Sequence, residues 1–137
     1  MQSNLAHMQL NVQAGNFGFY KDLLTFLGWR LIFDSEGAFG IADTKGTSLW
    51  FIGSVKEGVS YDYDGPGLNH LAFGVSEQTD VDAAATYLTE HGVEHLFETP
   101  RHRPDFTSDS SNTYYQVMFE TPDRILVEIV YTGPKAA

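Results

Sequence analysis

The sequence contains no cysteine among its 137 residues, which excludes disulfides, thiolate nucleophiles and cysteine-ligated zinc or iron–sulfur sites together. Basic residues are also scarce, 8 against 18 acidic, giving a net charge of −10 with histidines neutral. Without a Lys/Arg-rich run, so acidic a chain repels phosphate backbones and anionic lipid, and neither nucleic acid nor a membrane surface is expected as a partner. No apolar run approaches the roughly 18 residues of a membrane span, and Met1-Gln2-Ser3-Asn4 lacks the parts of a signal peptide. The expectation is a cytoplasmic protein of one domain acting on a small molecule. Any metal or acid/base chemistry must then use His, Asp, Glu and Tyr.

What is present is an internal duplication. Leu5-Ala6-His7-Met8-Gln9-Leu10-Asn11-Val12 resembles Leu68-Asn69-His70-Leu71-Ala72-Phe73-Gly74-Val75, and an amphipathic helix follows each. Tyr20, Leu23, Leu24 and Leu27 form one apolar stripe; Val81, Ala84, Ala85 and Leu88 form the other. Asn16 is the expected N-cap of the first helix, and Thr79 with Asp82 the expected capping box of the second. Gly28 and Gly92 suit the left-handed position that ends a helix. They lie 21 residues after His7 and 22 after His70.

Strands are expected at Trp29–Asp34, Ala38–Ala42 and Thr47–Gly53, then at Glu94–Glu98, Thr113–Glu120 and Arg124–Thr132. Each half is therefore β-α-β-β-β, with modules at 5–55 and 66–132 and a linker at 56–65. A unit of roughly 60 residues needs its partner to cover the sheet face it leaves open. Gly28 to Trp50 spans 22 residues, whereas Gly92 to Glu128 spans 36. The surplus falls largely in Thr99–Asn112, which reads as a binding loop or lid, with a tolerated surface insertion as the other reading.

Strand alternation places His7 with Leu5, Gln9 and Asn11, His70 with Ala72 and Gly74, and Glu128 with Leu126 and Val130. A carboxylate in so apolar a strand is costly to bury unless a cation meets it. His, His and Glu from three strands supply a 2-His-1-carboxylate donor set for Fe(II), Mn(II), Co(II), Ni(II) or Zn(II), with coordination positions left for substrate. Singly, each histidine also reads as a hydrogen-bonded core residue, and Glu128 as a partner of Arg30 or Arg124. His91 and His95 flank a helix end and are expected to be solvated.

These features resemble the vicinal oxygen chelate superfamily of glyoxalase I, fosfomycin-resistance thiol transferases, bleomycin-resistance proteins, methylmalonyl-CoA epimerases and extradiol dioxygenases. The likeness runs from Leu5 to Thr132. It rests on the His7 strand, Leu27-Gly28, Asn69-His70-Leu71-Ala72-Phe73, His91-Gly92-Val93 and Phe119-Glu120-Thr121-Pro122-Asp123 before Glu128. The resemblance implies an α+β fold of two βαβββ modules forming a U-shaped mixed sheet around a divalent metal held by His7, His70 and Glu128, commonly as a homodimer.

Departures narrow the chemistry. Trp50 occupies the repeat position of Glu128, where glyoxalase I carries a fourth ligand, a glutamate; tryptophan neither binds the metal nor moves a proton, so glyoxalase I activity is not expected. A dioxygenase-like or lyase/transferase-like reaction on a small chelating substrate ranks first. The alternatives are a fosfomycin-type thiol transferase, which Leu49-Trp50 resembles, and a metal-free antibiotic-binding protein of the bleomycin-resistance type. The candidate acid/base residues, beside Glu128 itself, are His102 and Tyr115. Arg101 and Arg103 suit a substrate carboxylate or phosphonate, or are simply exposed loop arginines. Trp29, Trp50, Tyr61, Tyr63, Tyr114 and Tyr115 are available to line a pocket for a flat substrate, with Trp50 and Tyr114 the first candidates, although aromatics also dominate ordinary cores.

Overall fold

The computed structural model describes residues 1–136, which divide into two compact units, Met1–Ser60 and a second from Tyr61 onward. In the first, β1 (His7–Asn11) leads through a 3₁₀ turn at Ala14–Asn16 into α1 (Phe17–Phe26), followed by β2 (Arg30–Asp34), β3 (Ala38–Ala42) and β4 (Ser48–Ile52). The second repeats this with β5 (His70–Gly74), α2 (Gln78–Glu90), β6 (Leu96–His102), β7 (Asn112–Glu120) and β8 (Leu126–Pro134). Sheet orders are β1-β4-β3-β2 and β5-β8-β7-β6; the pairs β1–β4 and β5–β8 are parallel and the rest antiparallel. The architecture is α+β, two βαβββ modules each carrying a four-stranded mixed sheet and one long helix. No helix among the described residues is long and apolar enough to cross a membrane.

Each core follows from strand alternation meeting helix periodicity. In the first unit, Leu10, Phe39, Ile41, Leu49 and Phe51 are buried, as are Phe17, Tyr20, Leu23 and Leu24 of α1. Phe39 stacks on Phe51 at 4.6 Å, and Phe17 meets Phe39 edge-on at 5.0 Å. On the opposite face His7, Gln9 and Asn11 stay exposed. In the second unit, Val117, Phe119, Val127 and Ile129 are buried, as are Val81, Ala84, Ala85 and Leu88 of α2. Both helices end as expected at glycines of positive φ, Gly28 (90°) and Gly92 (70°); Trp29 N–H bonds Leu24 O and Val93 N–H bonds Leu88 O.

The structure corrects several boundaries. Asn16 precedes α1 but its side chain makes no capping bond. The capping box of α2 is Glu77 with Asp80, not Thr79 with Asp82, because the helix starts earlier; the Asp82 carboxylate accepts instead from Tyr115. The final strand begins at Leu126, since Arg124 adopts φ 64° in a turn closed by its N–H on Thr121 O. The expected lid at Thr99–Asn112 is partly strand: residues through His102 continue β6, which starts at Leu96 rather than Glu94. Only residues 103–111 lie outside strands, with a 3₁₀ turn at Pro104–Phe106. His95 is half-buried, its Nε2 bonded to Ala85 O at 3.0 Å, and His91 Nδ1 bonds Tyr87 O at 2.8 Å.

Candidate functional site

Register places the polar residues of the second unit together. On β8, Glu128 lies opposite Ala72 of β5 and Met118 of β7, while His70 lies opposite Leu126. Alternation from Met118 puts Gln116 and Tyr114 on the same face as Glu128. Glu128 is 2% exposed, and its carboxylate has close neighbours at both oxygens. The Tyr114 hydroxyl donates to Oε1 in a short bond, and Gln116 Nε2 donates to the same oxygen at 2.9 Å. His70 Nε2 stands 3.0 Å from the other oxygen, Oε2.

The proton positions in this cluster are fixed by its neighbours. Asn69 Nδ2 donates to Tyr63 O at 2.9 Å, so Asn69 Oδ1 is an acceptor, and it lies 2.8 Å from His70 Nδ1. The hydrogen of a neutral imidazole is therefore on Nδ1. Its Nε2 lone pair and the lone pairs of Glu128 Oε2 then converge, and only an electrophile between or beside them relieves the contact. A proton does so; a divalent cation fits the nitrogen–oxygen donor pair equally, with Asn69 orienting the imidazole from behind. Among the described residues, no group of three or more His, Asp or Glu that could hold a metal is formed.

This pair sits at the floor of a cleft of about 500 Å³ whose lining comes entirely from the second unit. Arg103, also lining it, donates from Nη1 to Gln116 Oε1 at 3.1 Å and from Nε and Nη2 to the two Asp105 oxygens at 3.3 and 3.1 Å. Asp105, Arg103, Gln116, Glu128 and His70 thus form one continuous chain of contacts. The Arg103 guanidinium holds the Asp105 carboxyl below its ordinary range. Burial, then the hydrogen bond and charge of Glu128, push the Tyr114 phenol up to about 12, so it remains a donor at neutral pH.

The residues expected from the sequence are not all found here. His70, Glu128, Arg103 and Tyr114 line the cleft. Arg101 lies opposite Gln116 in the β6–β7 ladder and extends Nη1 to Glu98 at 3.4 Å, without lining the cleft. His102 and Tyr115 are placed elsewhere: their rings are 4.5 Å apart, Tyr115 donates to Asp82 of α2 at 2.6 Å, and His102 Nδ1 bonds Thr113 Oγ1. They occupy the helix-side face because neighbours in a strand point to opposite faces, and Tyr114 has the cleft face. In the first unit, His7 is exposed on β1, and Trp50 donates to Ser48 Oγ at 3.0 Å. Trp50 lies opposite Gln9, two residues beyond His7, just as Glu128 lies opposite Ala72, two beyond His70. Of the other aromatic candidates, Tyr63 lines the cleft. Gln116, Asn69, Phe97 and Phe106 were not anticipated as site residues. Gln116 carried a signal, being an amide on the same strand face as Tyr114.

Residues 5–129 match the sequence profile of the Glyoxalase/Bleomycin resistance protein/Dioxygenase superfamily. No curated protein matches the chain. Among solved structures, a glyoxalase candidate from Bacillus halodurans is 29% identical with a TM-score of 0.79, over 95% of this chain and 96% of that one. A glyoxalase/dioxygenase from Nostoc punctiforme is 21% identical, TM-score 0.71, over 95% and 91%. The fosfomycin resistance protein FosX from Listeria monocytogenes, solved with Mn(II) and sulfate, is 20% identical, TM-score 0.68, over 97% and 93%. The last two likenesses are of fold.

Proposed function

This chain belongs to the Glyoxalase/Bleomycin resistance protein/Dioxygenase superfamily, and within it we propose a divalent-metal-dependent enzyme acting on a small organic molecule through two adjacent oxygens. The observation that carries the reading is the convergence of His70 Nε2 and Glu128 Oε2, two acceptors 3.0 Å apart on the floor of a cleft. His70 and Glu128 are two of the proposed ligands; His7, the repeat counterpart of His70, is the candidate third on sequence grounds alone. The fold is shared with a protein crystallised with Mn(II), which is compatible with a divalent ion here; Fe(II), Mn(II), Co(II), Ni(II) and Zn(II) all suit the donor set.

An ion held by His70 and Glu128 would supply Lewis acidity toward the substrate oxygens. The chain's own residues do the rest. Tyr114 and Gln116 donate to Oε1 of Glu128, leaving Oε2 with His70 Nε2 as its polar neighbour. Asn69 keeps the His70 proton on Nδ1, away from the cleft floor. Arg103 is anchored by Asp105, and its terminal nitrogens retain hydrogens for a substrate carboxylate or phosphonate. Arg101, beside Gln116 in the ladder, adds positive charge on that side. Trp50 in place of a glutamate removes the glyoxalase-type proton carrier.

The proposed reaction is dioxygenase-like or lyase/transferase-like, and the proposed assembly is a cytoplasmic homodimer. A fosfomycin-directed reaction is the second reading, favoured by Arg103 at the cleft wall. Metal content of protein purified without chelators tests the common premise; bound Fe, Mn, Co, Ni or Zn is expected. Oxygen uptake with catechols under Fe(II), and consumption of fosfomycin under Mn(II) with thiol present, separate the reactions. A protein that is metal-free as purified and takes up none of these ions overturns the reading in favour of a metal-free binding protein.

A further inference from the structure

Strand β6 is broken where it borders the cleft. Leu96 pairs with Met118 and Arg101 with Gln116, so Phe97, Glu98, Thr99 and Pro100 stand against Val117 alone. Phe97 and Glu98 both take left-handed φ, 56° and 60°. Successive non-glycine residues rarely do so, least of all a bulky one, and the conformation persists only where its surroundings enforce it. Thr99, 7% exposed, enforces it here. Its hydroxyl donates to Leu96 O at 2.7 Å and accepts Met118 N–H at 2.9 Å, filling the gap in the ladder.

The bulge changes where Phe97 points. Met118, opposite Leu96, lines the cleft, so in an unbroken strand the next residue would face α2. Instead Phe97 lines the cleft while remaining 52% exposed. Phe106, 54% exposed, lines it too, and its ring is held by the Arg103 guanidinium at 4.2 Å and by the edge-on Tyr114 ring at 5.2 Å. Two half-exposed phenyl rings, each fixed by its own device, thus share a cleft with the His70–Glu128 pair. Apolar surface held in place around convergent polar groups is the composition of a ligand site.

We propose that Phe97 and Phe106 are specificity-determining residues, an aromatic mouth selecting a flat ring that carries two adjacent oxygens over a small aliphatic chelator. The inference rests on the metal-binding reading of the His70–Glu128 pair for its choice of oxygens, but the mouth itself does not require the metal. A ring entering the cleft meets phenyl groups suited to stacked or edge-on contact, whereas a short aliphatic chelator reaches the polar floor without covering them.

The test uses the full chain loaded with Mn(II), with 4-nitrocatechol as the flat probe and oxalate as the aliphatic one. Phe97→Ala and Phe106→Ala are each expected to weaken 4-nitrocatechol about tenfold while leaving oxalate within about twofold. Phe97→Tyr is expected to retain the wild-type preference and Phe97→Leu to lose most of it, which separates a ring contact from general packing. Unchanged 4-nitrocatechol affinity in both alanine variants, or an equal loss for oxalate, overturns the proposal. Should the protein take up no Mn(II), the metal reading fails by itself, and 4-nitrocatechol is titrated into metal-free protein instead. Binding that the alanine variants weaken then sustains the mouth; no binding, or binding they leave unchanged, overturns it.

Discussion

Gln116→Leu removes the centre of the contact chain while nearly conserving volume. Gln116 is 2% exposed and makes two bonds to charged partners, donating to Glu128 Oε1 at 2.9 Å and accepting from Arg103 at 3.1 Å. Each such bond contributes about 1.5–3 kcal/mol, and burying the leucine recovers about 1.5–3 kcal/mol, so the expected net loss is about 1.5–3 kcal/mol. For a chain of this size that corresponds to a fall in Tm of roughly 5–10 °C. The probe matters, because both tryptophans, Trp29 and Trp50, lie in the first unit and report on it. Urea unfolding should therefore be followed by far-ultraviolet and tyrosine circular dichroism. A loss below about 1 kcal/mol would refute the reasoning, since Glu128 and Arg103 would then be satisfied without the amide.

Other consequences are equally direct. Burial first, then the hydrogen bond to Asp82, push the Tyr115 phenol up to about 12; Tyr115→Phe should remove one phenol ionisation near pH 12 from the 295 nm absorbance titration, and an unchanged titration would count against the bond. Because this folded-state value lies above the unfolded one, the stabilisation is complete below about pH 10 and is lost as pH rises through about 12, so wild type should lose its advantage over the variant in that window. Thr99→Val leaves the buried Met118 N–H without its acceptor and should cost about 1–3 kcal/mol in urea unfolding; a neutral result would mean the bulge closes without the hydroxyl. At Gly40 an added Cβ would stand 2.7 Å from the Trp50 ring, so Gly40→Ala should shift tryptophan emission and cost about 1–3 kcal/mol, unless the indole moves freely, in which case stability is unchanged.

The duplication was legible because its signals are local: a histidine strand, a helix stripe and a terminating glycine recur at nearly equal spacing in both halves. Glu128 was legible for the same kind of reason, a carboxylate amid apolar strand residues. Tyr114 and Tyr115 were both site candidates from the sequence, although alternation lets only one of them face Glu128. Which one, and with what company, depended on the β7–β8 register, which pairs Met118 with Glu128 and is set by tertiary packing. Gln116 and Asn69 stayed hidden for that reason: an amide declares a role only once its cross-strand neighbours are known. Phe97 was beyond periodicity altogether, since the bulge reverses the direction that alternation assigns it. The expected loop was too long at its start, because a proline-bearing stretch still pairs with β7 at Arg101 and His102, while Arg103 and Phe106 beyond it line the cleft.

The proposal that His70 Nε2 and Glu128 Oε2 hold a divalent cation is tested most directly by Mn(II) titration followed by the electron paramagnetic resonance signal of the free ion. Wild type should bind Mn(II). Glu128→Gln should bind it more than about 100-fold more weakly while remaining folded, because the amide oxygen keeps Tyr114 and Gln116 and the new N–H₂ meets the Nε2 lone pair. Equal Mn(II) affinity in the folded variant would contradict the account and leave Glu128 a structural partner of His70.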